Sequence, residues 1–417
     1  MSGRHSEPES LYACVRLGAS LALMTIGGVG MYAMAVALAP VQAEFAAARG
    51  DASLPYTLTM IGFGIGGILM GRLSDRFGVF VPLLIGGAGL GLGFVAAGSA
   101  TTLLQFTLAH GVLIGLLGCS ATFAPLVADT ALWFTRHRGI AVAICASGNY
   151  LAGTVWPPVL QYFFDTSGWR ATYIGVGVFC ALTVTATAFI LRRRPPALQG
   201  SSSWDMSNMG SERPLGLSPN ALMVLLAVAG VACCVAMSMP QVHIVAYCGD
   251  LGYGAARGAE MLSLMLGFGI VSRLVSGWIS DRIGGLRTLL LGSALQGIAL
   301  LLFLPFDGLV SLYIVSALFG LFQGGIVPAY ALIVREHFRP TEAATRTGVV
   351  LMATLFGMAL GGWMSGAIFD MTGSYRAAFM NGIGWNLLNL SIAFWLLYRL
   401  PRAQRFSLQN ARTGSGS

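Results

Sequence analysis

The sequence contains no lysine, and charged side chains of any kind are scarce. All 24 basic residues are arginine, and charged residues make up 10% of the 417-residue chain, whereas hydrophobic residues make up 56%. So few charges cannot solvate the surface of a soluble protein of this length. The composition therefore indicates a protein that crosses a membrane several times. The absence of lysine also excludes a phosphate-binding loop of the Gly-x-x-x-x-Gly-Lys type.

Patterns typical of metal, cofactor or catalytic sites are also missing. The seven cysteines lie in apolar stretches without metal-ligand spacing, so we interpret them as packing residues. Two glycine clusters, GFGIGG at residues 62–67 and GLGLGF at 89–94, lie inside apolar stretches and not between a strand and a helix. This context argues against a dinucleotide site. We therefore expect no enzyme and no cofactor, metal or nucleotide site.

Apolar windows of about 20 residues, separated by charged or Gly/Pro-containing breaks, predict twelve membrane-spanning helices. We therefore expect an all-α membrane protein. The predicted spans are residues 14–40, 54–73, 79–98, 102–131, 139–163, 170–191, 219–247, 257–280, 286–305, 309–334, 345–369 and 375–398.

The arginines are distributed unequally between the two sets of loops. Nineteen arginines, including Arg16, lie on the side of the N-terminus. The opposite side has four: Arg49, Arg170, Arg257 and Arg376. The positive-inside rule then places both termini in the cytoplasm. We expect a multi-pass protein of the bacterial inner (plasma) membrane. The formal net charge of +8 reflects this topology and does not indicate a nucleic-acid partner.

Arg273 is the one arginine that the predicted spans place deep inside the membrane. It precedes the charged end of its span by eight residues, which corresponds to about 12 Å along a helix and lies near the middle of a core about 30 Å thick. A charge at that depth is costly and usually functional, most often as the partner of a buried anion. The alternatives are a side chain that extends to the headgroups and a purely structural ion pair.

The two halves of the chain repeat one another. GRLSDRFG at residues 71–78 matches GWISDRIG at 277–284, and FDTSGWRATY from Phe164 matches FDMTGSYRAAF from Phe369. Both matches have nearly the same offset, which indicates an internal duplication. The predicted domains are two six-helix bundles, residues 1–192 and 219–400, joined by a cytoplasmic linker at 193–218 that is rich in Ser, Pro and Gly, with a tail at 401–417.

These repeated loops resemble the signature of the major facilitator superfamily, a Gly-x-x-x-Asp-Arg-x-Gly pattern after the second helix. The first copy, here called the loop motif, consists of Gly71, Asp75, Arg76 and Gly78, and the second copy consists of Gly277, Asp281, Arg282 and Gly284. A carboxylate at the end of one helix can accept hydrogen bonds from the free N–H groups that start a neighbouring helix. We expect the loop motif, Asp281 and Arg282 to form a conformational latch that closes the cytoplasmic side in one state.

Residues 133–170 resemble a stretch of the monocarboxylate porters and the related oxalate/formate exchangers. The resemblance is carried by Trp133, Phe134, Arg138, Gly139, Ala141, Gly148, Gly153, Gly168, Trp169 and Arg170. In the porters an arginine of the eighth helix meets the substrate carboxylate, and Arg273 stands at that position. The sequence departs from the porter pattern at Gly269, where the porters often have an aspartate, and at Val36, where animal porters have a lysine.

Weaker signals come from other polar residues in the predicted spans. Asp129 and His243 are candidates for proton coupling. The alternative for Asp129 is an interface carboxylate paired with Arg136, and the alternative for His243 is a hydrogen-bonded packing role. Further candidates for substrate contact, each of which could instead bond a neighbouring helix, are Tyr32, Asn149 and Tyr330.

The resemblance implies a secondary active transporter that works by alternating access. We expect it to move a small organic monocarboxylate, because a single arginine inside the membrane suits a single carboxylate. We expect a proton to be the coupling ion. The alternatives are an organic-anion exchanger or a drug-like efflux carrier of the same superfamily, and a solute sensor that does not transport. The expected partners are thus a small organic acid, a proton and the lipid bilayer.

Overall fold

The computed structural model describes residues 10–134, 137–193, 215 and 217–399, and this part of the chain is helical apart from short turns. Twelve helical segments follow one another, and we number them in chain order. The first six are α1 (Leu11–Glu44), α2 (Arg49–Phe77), α3 (Phe80–Gly98), α4 (Leu103–Trp133), α5 (Arg138–Ser167) and α6 (Trp169–Ala188). The second six are α7 (Pro219–Asp250), α8 (Ala255–Ile283), α9 (Gly285–Leu302), α10 (Leu309–His337), α11 (Pro340–Thr372) and α12 (Tyr375–Tyr398).

Eleven of these segments are long and apolar enough to cross a membrane. The twelfth, α12, has 24 residues and would extend about 36 Å, but three asparagines lower its apolar content. The segments agree with the predicted spans to within a few residues. The all-α membrane class is therefore confirmed.

Arg16 is a correction to the predicted loop arginines. It lies inside α1 and is 2% exposed. The helix begins early because the side chain of Ser10 accepts a hydrogen bond from the backbone N–H of Ala13, which caps the first turn. A window of apolar residues does not register such a cap, so the predicted span began at residue 14. Arg16 already fell inside that span, although it was counted with the loop arginines.

The helices form two bundles with the same internal packing. In the first bundle α1 packs on α5, α2 on α4, and α3 on α6; in the second bundle α7 packs on α11, α8 on α10, and α9 on α12. The bundles meet through three helix pairs, α2 with α11, α5 with α8, and α1 with α7. We call the end where α1 begins and α12 ends the termini end, and the opposite end the far end.

Breaks in three helices lie between the two ends. α1 is interrupted at Gly28, α4 contains a π-helical stretch at Ala109–Cys119, and α10 is interrupted at Gly324 and Gly325. A Cβ atom added at Gly324 would lie 2.3 Å from the carbonyl oxygen of Gly269. Only glycine therefore lets α10 approach α8 this closely, and the contact lies one turn from Arg273.

The predicted linker and tail lie largely outside the described residues, so their boundaries stay predictions. The turns after α2 and α8 are described, and both contain a glycine with a positive φ, 81° at Gly78 and 82° at Gly284. Other residues adopt this conformation at a cost, which explains the glycine at the last position of each loop copy.

Candidate functional site

Arg273 lies on α8 at the interface between the bundles. Its Nη1 donates a hydrogen bond to the carbonyl oxygen of Ala146 on α5 at 3.3 Å, and its guanidinium carbon lies 4.4 Å from the centre of the Tyr150 ring. The Nε atom is buried and has no hydrogen-bond partner. A buried guanidinium donor without a partner is costly, and this one is available to an anion.

Tyr150 occupies the space one helical turn before Arg273. A Cβ atom added at Gly269 would lie 2.4 Å from Cε1 of the Tyr150 ring, so the ring fills the position where a side chain of residue 269 would project. Gly269 stands where the porters often have an aspartate, and in this structure the ring of Tyr150 occupies the space that the aspartate side chain would need. Sequence reasoning missed Tyr150.

Two more tyrosines lie close to this pair. Tyr32 of α1 is buried in the same packed cluster as Tyr150, and the buried ring of Tyr56 on α2 lies beside Gly362 of α11. A Cβ atom added at Gly153 would lie 2.8 Å from Cζ of Tyr32, so this glycine makes room for the phenol. The three tyrosines come from α1, α2 and α5, and together with Arg273 they supply hydroxyl and guanidinium donors to one region of the bundle interface.

Two further buried polar atoms near the α8–α10 contact have no hydrogen-bond partner. They are the hydroxyl of Ser272 and Nε2 of Gln323. The amide oxygen of Gln323 accepts a hydrogen bond from Gln241 on α7 at 3.1 Å. Buried donors without partners are rare in folded proteins and often mark a site for water or a ligand.

The structure brings some of the predicted substrate contacts to this region and not others. The side-chain oxygen of Asn149 lies against Gly28 at the break in α1. Tyr330 is fully buried in the second bundle, where its hydroxyl donates to Oδ1 of Asn389 at 2.8 Å. Its donor is therefore already used, and no contact joins it to Arg273.

Asp129 forms a buried ion pair that was not predicted. Its carboxylate accepts a hydrogen bond from Nη2 of Arg16 at 2.6 Å, and the Arg16 guanidinium lies 4.5 Å from the centre of the Trp133 ring. The predicted alternative, a pair with Arg136, falls on a residue outside the described part. The observed partner lies on α1, more than 100 residues away in sequence, which explains why it was not found.

His243 is fully buried in the second bundle and uses both ring nitrogens. Nε2 lies 2.8 Å from the carbonyl oxygen of Gly362, which only accepts, so this nitrogen is the donor. Nδ1 then accepts from the hydroxyl of Tyr375 at 3.1 Å. Neither His243 nor Asp129 contacts Arg273.

A charged cluster joins the two bundles at the far end, and we call Arg49, Asp250, Asp370 and Tyr375 the far-end cluster. The backbone N–H groups of Arg49 and Gly50, which start α2, donate to the carboxylate of Asp370 on α11 at 2.8 and 2.6 Å. The Arg49 guanidinium pairs with Asp250 of α7 and donates to the Tyr375 hydroxyl at 3.1 Å. The far end is thus closed by contacts between the bundles.

The charged residues of the two loop copies at the termini end do not join the bundles in this way. Asp75, Arg76, Asp281 and Arg282 are exposed, and both arginines stack on aromatic rings of their own helices. Across the described residues, the hydrogen bonds between the two bundles lie at mid-membrane or at the far end. Among the described residues, no hydrogen bond or ion pair links the loop motif to the second bundle in this state.

Comparison with known proteins agrees with this architecture. The model of the Major Facilitator Superfamily matches residues 19–309 and 261–415. The chain belongs to the major facilitator superfamily. Monocarboxylate transporter 13 of Bos taurus is 28% identical over 319 residues, which are 74% of this chain and 71% of the bovine protein. Monocarboxylate transporter 11 of Mus musculus is 27% identical over 317 residues, 74% of this chain and 70% of the mouse protein.

A solved structure shows the same fold at low identity. A crystal structure of the peptide transporter POT aligns with a TM-score of 0.74 and 12% identity, and the alignment covers 96% of this chain and 97% of that protein. Such a match shows the fold alone. With the family match, it confirms two six-helix bundles of the major facilitator type. The protein is an integral multi-pass membrane transporter and not an enzyme.

Proposed function

We propose that the protein moves a small organic monocarboxylate across the membrane by alternating access and holds the carboxylate at Arg273. The observation that carries the proposal is the guanidinium of Arg273 at the bundle interface, with a buried Nε that no protein group accepts. Arginine presents a planar fork of donors that fits a carboxylate. The similar proteins named above are monocarboxylate transporters, which supports the same ligand class.

The charges around the site support one carboxylate and not two. The two buried arginines of the described residues have carboxylate partners: Arg16 pairs with Asp129, and Arg49 pairs with Asp250. A dicarboxylate would leave its second charge unpaired in a region of low dielectric constant, which is costly. The hydroxyls of Tyr32, Tyr56 and Tyr150 suit a small polar substituent of such an acid.

Alternating access requires that the two ends close in turn. The far-end cluster closes one end in this structure. We propose that the termini end faces the cytoplasm of a bacterial inner membrane, because the arginine bias favours it. The structure then represents a state open towards the cytoplasm, and the loop motif would close that side in the other state.

Two modes of coupling follow from the sequence and the site. Symport with a proton requires a titratable group that responds to the substrate, and the candidates Asp129 and His243 are bonded elsewhere. Exchange of organic anions is the second candidate. One observation favours it, namely that no described carboxylate pairs with Arg273.

Uptake by purified protein in proteoliposomes tests the proposed function. We expect saturable uptake of at least one member of a labelled panel of lactate, pyruvate and benzoate, and no uptake of the matching amides. A carrier that moves the amides as fast as the acids would contradict a carboxylate site.

A further inference from the structure

An apolar groove of about 370 Å³ lies where α5 of the first bundle meets α8 of the second. We call it the seam groove, and its walls are formed by Thr154 and Pro158 of α5 and by Ser263, Gly267 and Phe268 of α8. Phe268 is exposed although its helix is a membrane-spanning one. The seam groove therefore opens towards the lipid.

The residues of the two walls explain why the helices meet here and still leave a space. Pro158 has no N–H group, so the carbonyl of Thr154, four residues earlier, receives no helical hydrogen bond from it. The hydroxyl of Ser263 donates to this carbonyl and joins the two bundles. At Gly267 an added Cβ atom would lie 3.6 Å from Cγ2 of Thr154, which is an ordinary contact distance. The space beside Gly267 can thus accommodate further carbon atoms.

The length of the seam groove matches one leaflet of a bilayer. Along α8 its lining extends from Glu260 to Val271, which corresponds to about 16 Å along a helix. Half of a hydrocarbon core about 30 Å thick is about 15 Å. Val271 lies two residues from Arg273, which the predicted span places near mid-membrane, and Glu260 lies towards the far end. The groove therefore has the length of one lipid chain, from the headgroup level to mid-membrane.

The far-end mouth of the groove carries one negative and one positive charge. Glu260 and Arg257, in the first two turns of α8, pair at 3.0 Å, and their side chains are 44% and 54% exposed. Tyr313 of α10 also donates to the Glu260 carboxylate. A phospholipid with a primary-amine headgroup offers the complementary groups, an ammonium for Glu260 and a phosphate for Arg257. A trimethylated choline headgroup has no N–H to donate.

We infer that the seam groove binds one chain of a phospholipid with a primary-amine headgroup, and that the bound lipid stabilises the state closed at the far end. The two walls belong to different bundles, so the groove keeps this shape only while α5 and α8 stay together at the far end. A ligand that fits one of two states shifts the population towards that state. The inference does not depend on the identity of the substrate.

Native mass spectrometry of the purified protein tests the lipid site. The protein in detergent is mixed with equal amounts of phosphatidylethanolamine, phosphatidylcholine and phosphatidylglycerol that have the same oleoyl chains. We expect phosphatidylethanolamine to be retained about fivefold more than either of the others, which is the size that an exposed charged contact can supply. Equal retention of the three lipids, or preferential retention of phosphatidylglycerol, would overturn the inference.

Two variants separate the headgroup contact from the groove. Glu260→Gln should abolish the preference for phosphatidylethanolamine, and its Tm without added lipid should stay unchanged because the broken pair is exposed. Glu342→Gln is the matched control, since Glu342 forms an exposed pair with Arg346 on another helix. Gly267→Leu places a side chain in the groove and should reduce retention of phosphatidylethanolamine. An unchanged preference in Glu260→Gln would overturn the headgroup contact. Should Gly267→Leu fail to fold, the lipid comparison in the unaltered protein still decides the inference.

The conformational effect is measured in nanodiscs of phosphatidylethanolamine and of phosphatidylcholine. Double electron–electron resonance between spin labels at Thr101 and Asp307, in a cysteine-free background, reports how far the far end is open. We expect the population open at the far end to be up to about fivefold smaller in phosphatidylethanolamine, because a ligand shifts an equilibrium by no more than its differential affinity. Glu260→Gln should remove this difference. Identical distance distributions of the unaltered protein in the two lipids would overturn the stabilising role.

Discussion

The buried Arg16 and Arg49 and the half-buried Arg273 differ in their partners, and the partners indicate different roles. Arg16 has a buried carboxylate within its own bundle, Arg49 has carboxylates of the other bundle, and Arg273 has an aromatic ring and a carbonyl. An ion pair within a bundle fixes that bundle, whereas a pair between bundles must break when access changes. A charge at the bundle interface without a protein anion is the one that can accept an anionic ligand.

Loss of the Arg16 partner should destabilise the first bundle. Asp129→Ala leaves the Arg16 guanidinium buried without its anion, and breaking such a pair costs about 3 to 5 kcal/mol. We expect a clear fall in the Tm of the purified protein. Glu260→Ala, which removes the partner of the exposed Arg257, is the matched control and should leave Tm nearly unchanged. Equal Tm values for the two variants would contradict a structural role for the Arg16–Asp129 pair.

Removal of the Tyr150 ring should weaken binding of the acid. A desolvated cation–π contact contributes about 2 kcal/mol, so Tyr150→Ala should lower the affinity by roughly 30-fold. Tyr150→Phe keeps the ring and should stay within about threefold of the unaltered protein. Isothermal titration with the transported acid measures both. A loss in Tyr150→Phe as large as that in Tyr150→Ala would show that the hydroxyl, and not the stacking, is responsible.

At the scale of helices, α2 and α11 pack side by side across the bundle interface and carry carboxylates at opposite ends. Asp370, near the end of α11, accepts from the first N–H groups of α2 at the far end. Asp75, near the end of α2, lies at the termini end and is exposed. We propose that Asp75 caps the start of α11 in the other state, as Asp370 caps the start of α2 in this one.

The hydrogen bonds from the start of α2 to Asp370 should stabilise the observed state. Asp370→Asn removes its charge and should raise the population open at the far end by about tenfold, which corresponds to roughly 1.4 kcal/mol. Double electron–electron resonance measures the distance between spin labels at Thr101 and Asp307 in a cysteine-free background, and this distance should become longer. Asp75→Asn removes the same charge at the other end, and it should not lengthen this distance because it weakens only the state open at the far end. An unchanged distance distribution in Asp370→Asn would contradict the role of the cap.

Whether a feature of the fold or of the site could be predicted from the sequence depends on how far apart in sequence the contacting residues lie. Apolar windows are local, so they predicted the helices and missed only features such as the Ser10 cap. Arg273 was found because its depth follows from its position along one helix. Tyr150 was missed because its contact with Arg273 crosses the bundles, and Arg49 was placed in a loop because its carboxylate partners lie 201 and 321 residues away.

At the scale of the whole molecule, the orientation in the membrane follows from the arginine bias and stays a prediction. Reporters active only in the cytoplasm, fused after the last residue or inserted near Asp307, test it. We expect activity for the C-terminal fusion and none for the insertion between α9 and α10. The reverse pattern would show that the far end faces the cytoplasm.

The central claim is that Arg273 binds the carboxylate of the substrate. The direct measurement compares the affinity of a transported acid and of its amide for the purified protein and for Arg273→Ala, with Arg257→Ala as the exposed control. Removing the charge-assisted contact costs roughly 2 to 5 kcal/mol, so the acid should bind about 30-fold to several thousand-fold more weakly to Arg273→Ala. The amide should lose much less, and the control should bind both as before. Retention by Arg273→Ala of the same affinity for the acid and the same preference over the amide would show that Arg273 is structural and would contradict the account.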